Sequence, residues 1–155
     1  MQDANTYYLN QICSRNALYT QETGRTKKCL THTFGCQMNE RDSEILFGFL
    51  TQMGYEKTDI EAEADLILFN TCCIRENAEN HAFGNIGALK KLKKSKPDLL
   101  IAVGGCMTQE KGKTDVLKKK FPFIDIMFGT LNLEEVGDLI LQKQAQKKKV
   151  IKVRE

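Results

Sequence analysis

Short, continuous apolar runs alternate with longer segments of helical period. That alternation restricts the fold of this chain more than any other feature. Residues 65–70 (Asp-Leu-Ile-Leu-Phe-Asn) and 99–103 (Leu-Leu-Ile-Ala-Val) are too short for helices. They are apolar without alternation, as strands covered on both faces are. Residues 28–34 set Leu30, His32 and Phe34 against Thr31 and Thr33, a third strand signal, and residues 124–128 give another. Residues 55–58 suggest a short strand, and 149–153 a last strand or the start of a linker. Between them lie helical stretches. One starts near Asn39, with Asp42 three residues on as in a capping box, and carries the stripe Ile45, Leu46, Phe49, Leu50, Met53 before Gly54. A second covers 76–94 with Ala78, Ala82, Phe83, Ile86 and Leu89 inward, and ends before Pro97. A third covers 108–120, weakened by Gly112, and a fourth 131–144 with Leu133, Val136, Ile140 and Leu141 inward. Such alternation predicts an α/β fold: a doubly wound, mostly parallel sheet of about five strands with helices on both faces, flavodoxin- or Rossmann-like. Residues 1–26 are polar and show neither period, so they read as a flexible tail ahead of a domain over 27–145.

With 41% hydrophobic and 28% charged residues, the chain has the balance of a soluble globular domain. It has no apolar stretch of about 18 residues and no N-terminal apolar signal region, so neither a membrane partner nor export is expected. A net charge of +3 is too small to establish a nucleic-acid partner. Six cysteines, Cys13, Cys29, Cys36, Cys72, Cys73 and Cys106, are the unusual component. Without an export signal, a reducing cytoplasm is the expected setting, and metal ligands, reactive thiols or buried fillers are more natural readings than disulfides.

Three of these cysteines fall just past the carboxyl end of an expected strand, as Phe34-Gly35-Cys36, Asn70-Thr71-Cys72 and Gly104-Gly105-Cys106. Open α/β sheets bind ligands there. Each cysteine also precedes an expected helix, whose N-terminal N–H groups favour a thiolate. Gly35, Gly104 and Gly105 would let the backbone approach a bulky ligand. Three convergent thiolates suit zinc or an iron–sulfur cluster. Structural zinc usually carries a Cys-x-x-Cys type of pair, which is absent here. A 4Fe–4S cluster held by three cysteines keeps one iron free of protein ligands. The competing reading is three small buried residues at strand ends.

Phe34-Gly35-Cys36-Gln37-Met38-Asn39-Glu40-Arg41-Asp42-Ser43-Glu44, Asn70-Thr71-Cys72-Cys73-Ile74-Arg75-Glu76-Asn77-Ala78 and Gly104-Gly105-Cys106-Met107 occur in that order. Together they resemble the N-terminal domain of the methylthiotransferase family, over about residues 27–141. The resemblance implies a radical S-adenosylmethionine enzyme that adds a methylthio group at C2 of an isopentenylated adenosine beside the tRNA anticodon. It implies that Cys36, Cys72 and Cys106 hold an auxiliary 4Fe–4S cluster with one open iron, Cys73 being the extra residue. Either that iron holds an external sulfur group or the cluster itself supplies sulfur. The family's second 4Fe–4S cluster and S-adenosylmethionine need a Cys-x-x-x-Cys-x-x-Cys motif, a spacing these six cysteines lack. The resemblance therefore makes residues 146–155 a linker or last strand leading to a radical S-adenosylmethionine domain and an RNA-binding domain. The expected partners are tRNA, those domains and a sulfur donor, and this portion alone is expected to be inactive. A non-catalytic zinc-binding α/β module is the alternative.

Other residues carry weaker signals. Asn39 and Asp42 suit helix capping. Asn70 and Thr71 can bond to cluster sulfur, to the Cys72 loop or within a turn. Arg75 can meet an anionic cluster, a phosphate, or Glu76 and Glu79. His32 reads as a core residue rather than a ligand, and His81 has no assigned role. Cys13 and Cys29 lie away from the strand ends and read as non-ligands. The lysines at 90, 91, 93, 94 and 96 and at 147–149 read as solvated faces, with phosphate contact as the minority reading.

Overall fold

The computed structural model describes residues 4–33, 37–71, 76–129, 135–146 and 149–152. In chain order the elements are α1 (Ala4–Thr23), β1 (Lys28–Thr33), α2 (Gln37–Gln52), β2 (Glu56–Lys57), a 3-10 turn (Glu61–Glu63) and β3 (Leu66–Thr71). They continue with α3 (Glu76–Ala88), α4 (Lys90–Ser95), β4 (Leu100–Gly105), α5 (Cys106–Gln109), α6 (Lys113–Lys120), β5 (Ile126–Phe128), α7 (Val136–Gln146) and β6 (Val150–Lys152). The strands form one six-stranded sheet in the order β2-β1-β3-β4-β5-β6, with every adjacent pair parallel. Among the described residues no helix is long and apolar enough to cross a membrane.

The continuous apolar runs become the central strands because a parallel sheet has helices on both faces and leaves no wet side. All six residues of β3 are buried, and five of six in β4. Alternate side chains feed two cores. On one face Cys29, Leu66, Leu68, Ala102 and Phe128 meet Leu46, Leu50 and Met53 of α2 and Val136, Leu139 and Ile140 of α7. On the other face Leu30, Ile67, Phe69, Ile101 and Val103 meet Ile86 of α3, Leu89, and Leu117 of α6.

Several expectations shift at element ends. Helix α2 starts at Gln37, so Asn39 and Asp42 lie inside its first two turns rather than forming a capping box. Ile45 of the expected apolar stripe faces solvent, because Leu46, Leu50 and Met53 already fill the face toward the sheet. The expected helix over 76–94 is divided at Leu89, which stays in the right-handed region (φ −81°, ψ −5°) but takes a turn-like bond from its N–H to the carbonyl of Ile86 (3.0 Å). The expected helix over 108–120 divides into α5 and α6 at Gly112, which takes a left-handed φ of 79°. The starts of the expected helix at 131–134 and the end of the expected last strand at Val153 lie outside the described residues.

The largest correction concerns residues 1–26. The expected flexible tail contains the 20-residue helix α1. Leu9, Ile12 and Asn16, at helical spacing, are buried against the α2 and α7 layer. Asn16 Nδ2 donates to the carbonyl of Met53 just past α2 (2.8 Å), satisfying a helix-terminal acceptor. Arg15 Nη1 donates to Gln144 Oε1 of α7 (3.1 Å). The stripe was hard to read because one of its three members is polar, while Tyr7 and Leu18 are apolar yet exposed.

If α1 is docked in this way, Ile12→Ala should cost about 2–5 kcal/mol in urea unfolding. Leu18→Ala, on the exposed side of the same helix, should change stability by less than about 0.5 kcal/mol. Equal effects of the two would return α1 to the status of a tail.

Candidate functional site

The sheet sets the carboxyl ends of β1, β3 and β4 side by side. Thr33 pairs with Asn70, Asn70 with Gly104, and Thr71 with Gly105. In the strand order β2-β1-β3-β4 the chain winds outward in opposite directions from β1 and β3. The carboxyl end between those two strands is the topological switch point, where open α/β sheets take ligands. Cys36 and Cys72 lie outside the described residues, and for Cys106 the backbone alone is described, opening α5. In sequence, all three follow closely on paired strand ends. Paired strands lie about 4.8 Å apart, and each peptide spans about 3.8 Å between Cα atoms. Cys72 is one peptide beyond Thr71, Cys106 one beyond Gly105, and Cys36 three beyond Thr33. Arg75 and Cys73 also fall outside the described residues.

Polar side chains tie these strand ends together. Ser43 Oγ of α2 accepts from Asn70 Nδ2 (3.0 Å) and lies 2.6 Å from Thr33 Oγ1, so a single hydroxyl links the ends of β1 and β3. Thr71 Oγ1 donates to the carbonyl of Gly104 (2.6 Å). Thr108 Oγ1 bridges the carbonyls of Gly105 (2.8 Å) and Phe128 (2.7 Å), holding the turn into α5 against the end of β5. Asn70, Thr71 and Thr108 are all buried, where a hydroxyl or amide without partners would cost about 1–3 kcal/mol. Sequence reading considered Asn70 and Thr71 but gave Ser43 and Thr108 no role. Their signal was only a hydroxyl within a turn or two of a cysteine.

The glycines next to Cys106 serve this packing. A Cβ on Gly104 would lie 2.3 Å from the Phe128 ring. A Cβ on Gly105 would lie 2.3 Å from the carbonyl oxygen of Thr71, and Gly105 also has a φ of +99°. The close approach expected for a ligand is therefore made at these two positions by the chain itself. Gly35 lies outside the described residues.

The remaining titratable candidates sit elsewhere. Cys29 is buried at the amino end of β1, and burial pushes its thiol up to about 11. That thiol stays protonated and acts as an apolar filler. Cys13 is a half-buried free thiol on α1. His32 stacks on Phe69 (centroids 5.0 Å apart) and has Nε2 3.4 Å from Glu61 Oε1. It lies on the sheet face opposite Cys29. Burial raises the Asp42 carboxyl, and Arg41 partly opposes the rise. Among the described residues no three His, Cys, Asp or Glu side chains are grouped to hold a metal.

A cleft of about 950 Å³ opens at the opposite, amino edge of the sheet, lined by Arg15, Arg25, Lys93, Lys143, Asp65 and Asp125 among others. Its charges are largely spent on the fold. Arg25 pairs with Asp65 (2.7 Å), while Lys93 (2.8 Å) and Lys143 (3.2 Å) converge on the buried carboxylate of Asp125. Asp125 also accepts from the Ile101 N–H (2.9 Å), so it fixes the start of β4.

Comparison with known proteins gives one family match and a consistent set of relatives. Residues 28–129 match the family described as "Uncharacterized protein family UPF0004". The chain is 50% identical over 137 residues to the tRNA-2-methylthio-N(6)-dimethylallyladenosine synthase of Clostridium perfringens (strain 13 / Type A), covering 85% of this chain and 30% of that protein. It is 60% identical over 100 residues to the synthase of the same name from Clostridium beijerinckii, covering 64% and 22% respectively. With that of Symbiobacterium thermophilum the identity is 50% over 121 residues, covering 78% and 26%. The chain thus spans less than a third of the length of these relatives.

Two outcomes follow from the geometry. Gly105→Ala combines a left-handed φ with a backbone clash and should cost about 3 kcal/mol or more in urea unfolding. The raised Cys29 thiol should also leave a pH signature. Well below pH 9 the thiol is protonated in both states. Between its ordinary 9.0 and about 11 the unfolded chain loses that proton first, so stability falls as pH rises. Tyr55, raised above its ordinary value by burial, adds to the same trend. Cys29→Val should flatten the fall in stability measured from pH 8 to 11, leaving the Tyr55 part; an unchanged slope would refute the assignment.

Proposed function

The chain belongs to the family described as UPF0004, and from that premise we propose that it is the N-terminal, cluster-holding part of a radical S-adenosylmethionine tRNA methylthiotransferase. The observation that carries the reading is the level alignment of the carboxyl ends of β1, β3 and β4 at the switch point. Cys36, Cys72 and Cys106 follow those ends by three, one and one residues. The names of the relatives support the same reading.

The residues present fit such a group. Three cysteines that follow three adjacent strands in sequence would make a soft donor set suited to iron and sulfide, and a set of three leaves a cluster iron without a protein ligand. Cys36, Cys72 and Cys106 would hold a 4Fe–4S cluster, with Cys73 outside the set. When bound, the cluster supplies a site for a sulfur-containing group next to the substrate adenine. The part of the chain itself is positional. Ser43, through Thr33 and Asn70, holds two of the strand ends at a fixed separation. Thr71 and Thr108 hold the third against them. Gly104 and Gly105 keep β4 seated between the Phe128 ring and the β3 backbone, so the start of α5 is tied to the end of β3 at Thr71. Rigid placement of this kind holds a reactive group to the tolerance that chemistry requires.

Adenosine methylthiolation at C2 in tRNA, S-adenosylmethionine cleavage at a second 4Fe–4S cluster, a sulfur donor and a cytoplasmic setting complete the proposal. The remaining two thirds or more of the relatives would supply the S-adenosylmethionine site and the RNA-binding domain. This portion alone would not turn over.

The test is anaerobic reconstitution with iron and sulfide, followed by metal and sulfide analysis and an absorption spectrum. The wild type should bind about four irons per chain with a broad band near 400 nm. Cys36→Ala, Cys72→Ala and Cys106→Ala should each lose it, whereas Cys73→Ala and Cys29→Val should keep it. Loss in Cys73→Ala with retention in Cys72→Ala would move the second ligand by one residue. A wild type that takes up zinc but no iron would overturn the cluster reading.

A further inference from the structure

The lysines divide into two populations with different work. Lys93 is turned inward, donating to the carbonyls of Pro97 (3.1 Å) and Leu99 and to Asp125 (2.8 Å). Lys96 donates to the carbonyls of Ala62 (3.2 Å) and Ala64 (2.7 Å), and Lys149 to that of Pro122 (3.0 Å). These close the amino edge of the sheet. Lys90, Lys91 and Lys94 of α4 and Lys118, Lys119 and Lys120 of α6 are instead exposed.

The two exposed groups share one face. Helices α3 to α6 cover the same side of the sheet, through Ile86, Leu89, Leu117 and Phe121. Phe83 of α3 meets Phe121 edge-on (5.6 Å), and Lys120 Nζ sits 5.0 Å from the Phe83 ring centre. In parallel βα units the helices run against the strands, so α4 and α6 both end at the amino edge. Helix dipoles account for cations in the last turn, Lys93, Lys94 and Lys118 to Lys120. They do not account for Lys90 and Lys91, which occupy the first turn of α4 where no acid is present. Burial, and then the nearby Lys118, hold the Lys149 ammonium below its ordinary value, with Asp125 opposing.

The positive charge is not spread over the whole chain. Residues 90–152 contain fifteen lysines against seven acidic residues, while residues 1–89 contain seven cationic and twelve acidic ones. The modest net charge of +3 conceals a dipolar molecule. Glu56, Asp59, Glu61 and Glu63 lie at the β2 edge and the basic face lies at α4 and α6, an asymmetry of the kind polyanion-binding proteins show.

We propose that the exposed lysines of α4 and α6 form a contact surface for the phosphate backbone of an RNA stem, separate from the cysteine end of the sheet. The choice of RNA as occupant rests on the function proposed above. On α4, Lys94 stands four residues from Lys90 and three from Lys91, about 5–6 Å away, while the consecutive Lys118 to Lys120 fan around the end of α6; point charges of this kind meet a phosphate ladder without reading its sequence. No aromatic side chain interleaves the two lysine groups on α4 and α6, so the surface positions a stem and does not stack bases. This face runs from the cysteine end of the sheet toward its amino edge. A stem lying along it would hold its loop toward the strand ends that precede Cys72 and Cys106.

The experiment is fluorescence polarisation of a labelled RNA stem-loop bound to this chain without reconstitution, titrated over salt. The wild type should bind at low salt and weaken steeply as salt rises. The triple variants Lys90→Gln/Lys91→Gln/Lys94→Gln and Lys118→Gln/Lys119→Gln/Lys120→Gln should each weaken binding by about tenfold or more. Each should also reduce the log–log salt slope by about one per lysine removed. Lys57→Gln, on β2, should leave both unchanged. Circular dichroism and urea unfolding should show both triple variants folded, since none of the six lysines is buried. Wild-type affinity and slope in both triple variants would overturn the proposal, as would a wild type that binds heparin but not the stem-loop. Iron and sulfide reconstitution of the same variants separates this proposal from the cluster reading. Full iron loading with lost RNA affinity is the expected combination, and failure of every chain to load iron would leave the salt slopes just as decisive.

Discussion

The parallel hydrogen bonding that registers β1, β3 and β4 is the constraint on which the candidate site depends. It sets Thr33, Asn70 and Gly104 in one row and Thr71 and Gly105 in the next. Three segments far apart in the chain thereby leave the sheet at nearly the same level. A slip of one residue would move every side chain of a strand to the other face. Asn70 would then turn away from Ser43, and each core would receive the apolar set shaped for the other face. The buried runs of β3 and β4 hold the register hydrophobically. The Ser43, Thr71 and Thr108 hydrogen bonds hold it at the carboxyl ends, where the apolar content gives out.

The opposite edge of the sheet is built by charge. Asp125 gathers Lys93 and Lys143 from helices on the two faces and the Ile101 N–H from the neighbouring strand. A buried carboxylate is tolerated there because two cations and a backbone donor replace its water. This network uses the inward lysines and leaves the outer ones on α4 and α6 to face solvent. The two ends of the sheet therefore differ in chemistry: soft donors and neutral hydroxyls follow the strands, and paired charges precede them.

The fold was legible where burial is two-sided. Residues 65–70 and 99–103 announced central strands because nothing but a covered strand is so short and so apolar. The stripe through Leu46, Leu50 and Met53 announced a helix packed on one face. It was less legible where the tertiary neighbour does the work. Helix α1 shows two apolar contacts and a polar one, Asn16, whose partner is a carbonyl beyond α2. No local pattern encodes a hydrogen bond to a residue 37 positions away. Gly104 and Gly105 were recognised as places of close approach, but the approaching groups are the Phe128 ring and the β3 backbone.

The class of fold, the cysteine motifs and the family resemblance can be read along the chain, because apolar period, turn residues and motif spacing are local properties. That β1 and β3 are neighbours with β2 outside them, which creates the switch point at their carboxyl ends, emerges only once the strands have paired. The same holds for Ser43 joining those ends, for α1 as part of the core, and for the division between lysines that serve the fold and lysines that face outward. Each of these depends on contacts between residues remote in sequence. Such contacts arise from the pairing of strands and the closing of two cores, and not from the preference of any segment alone.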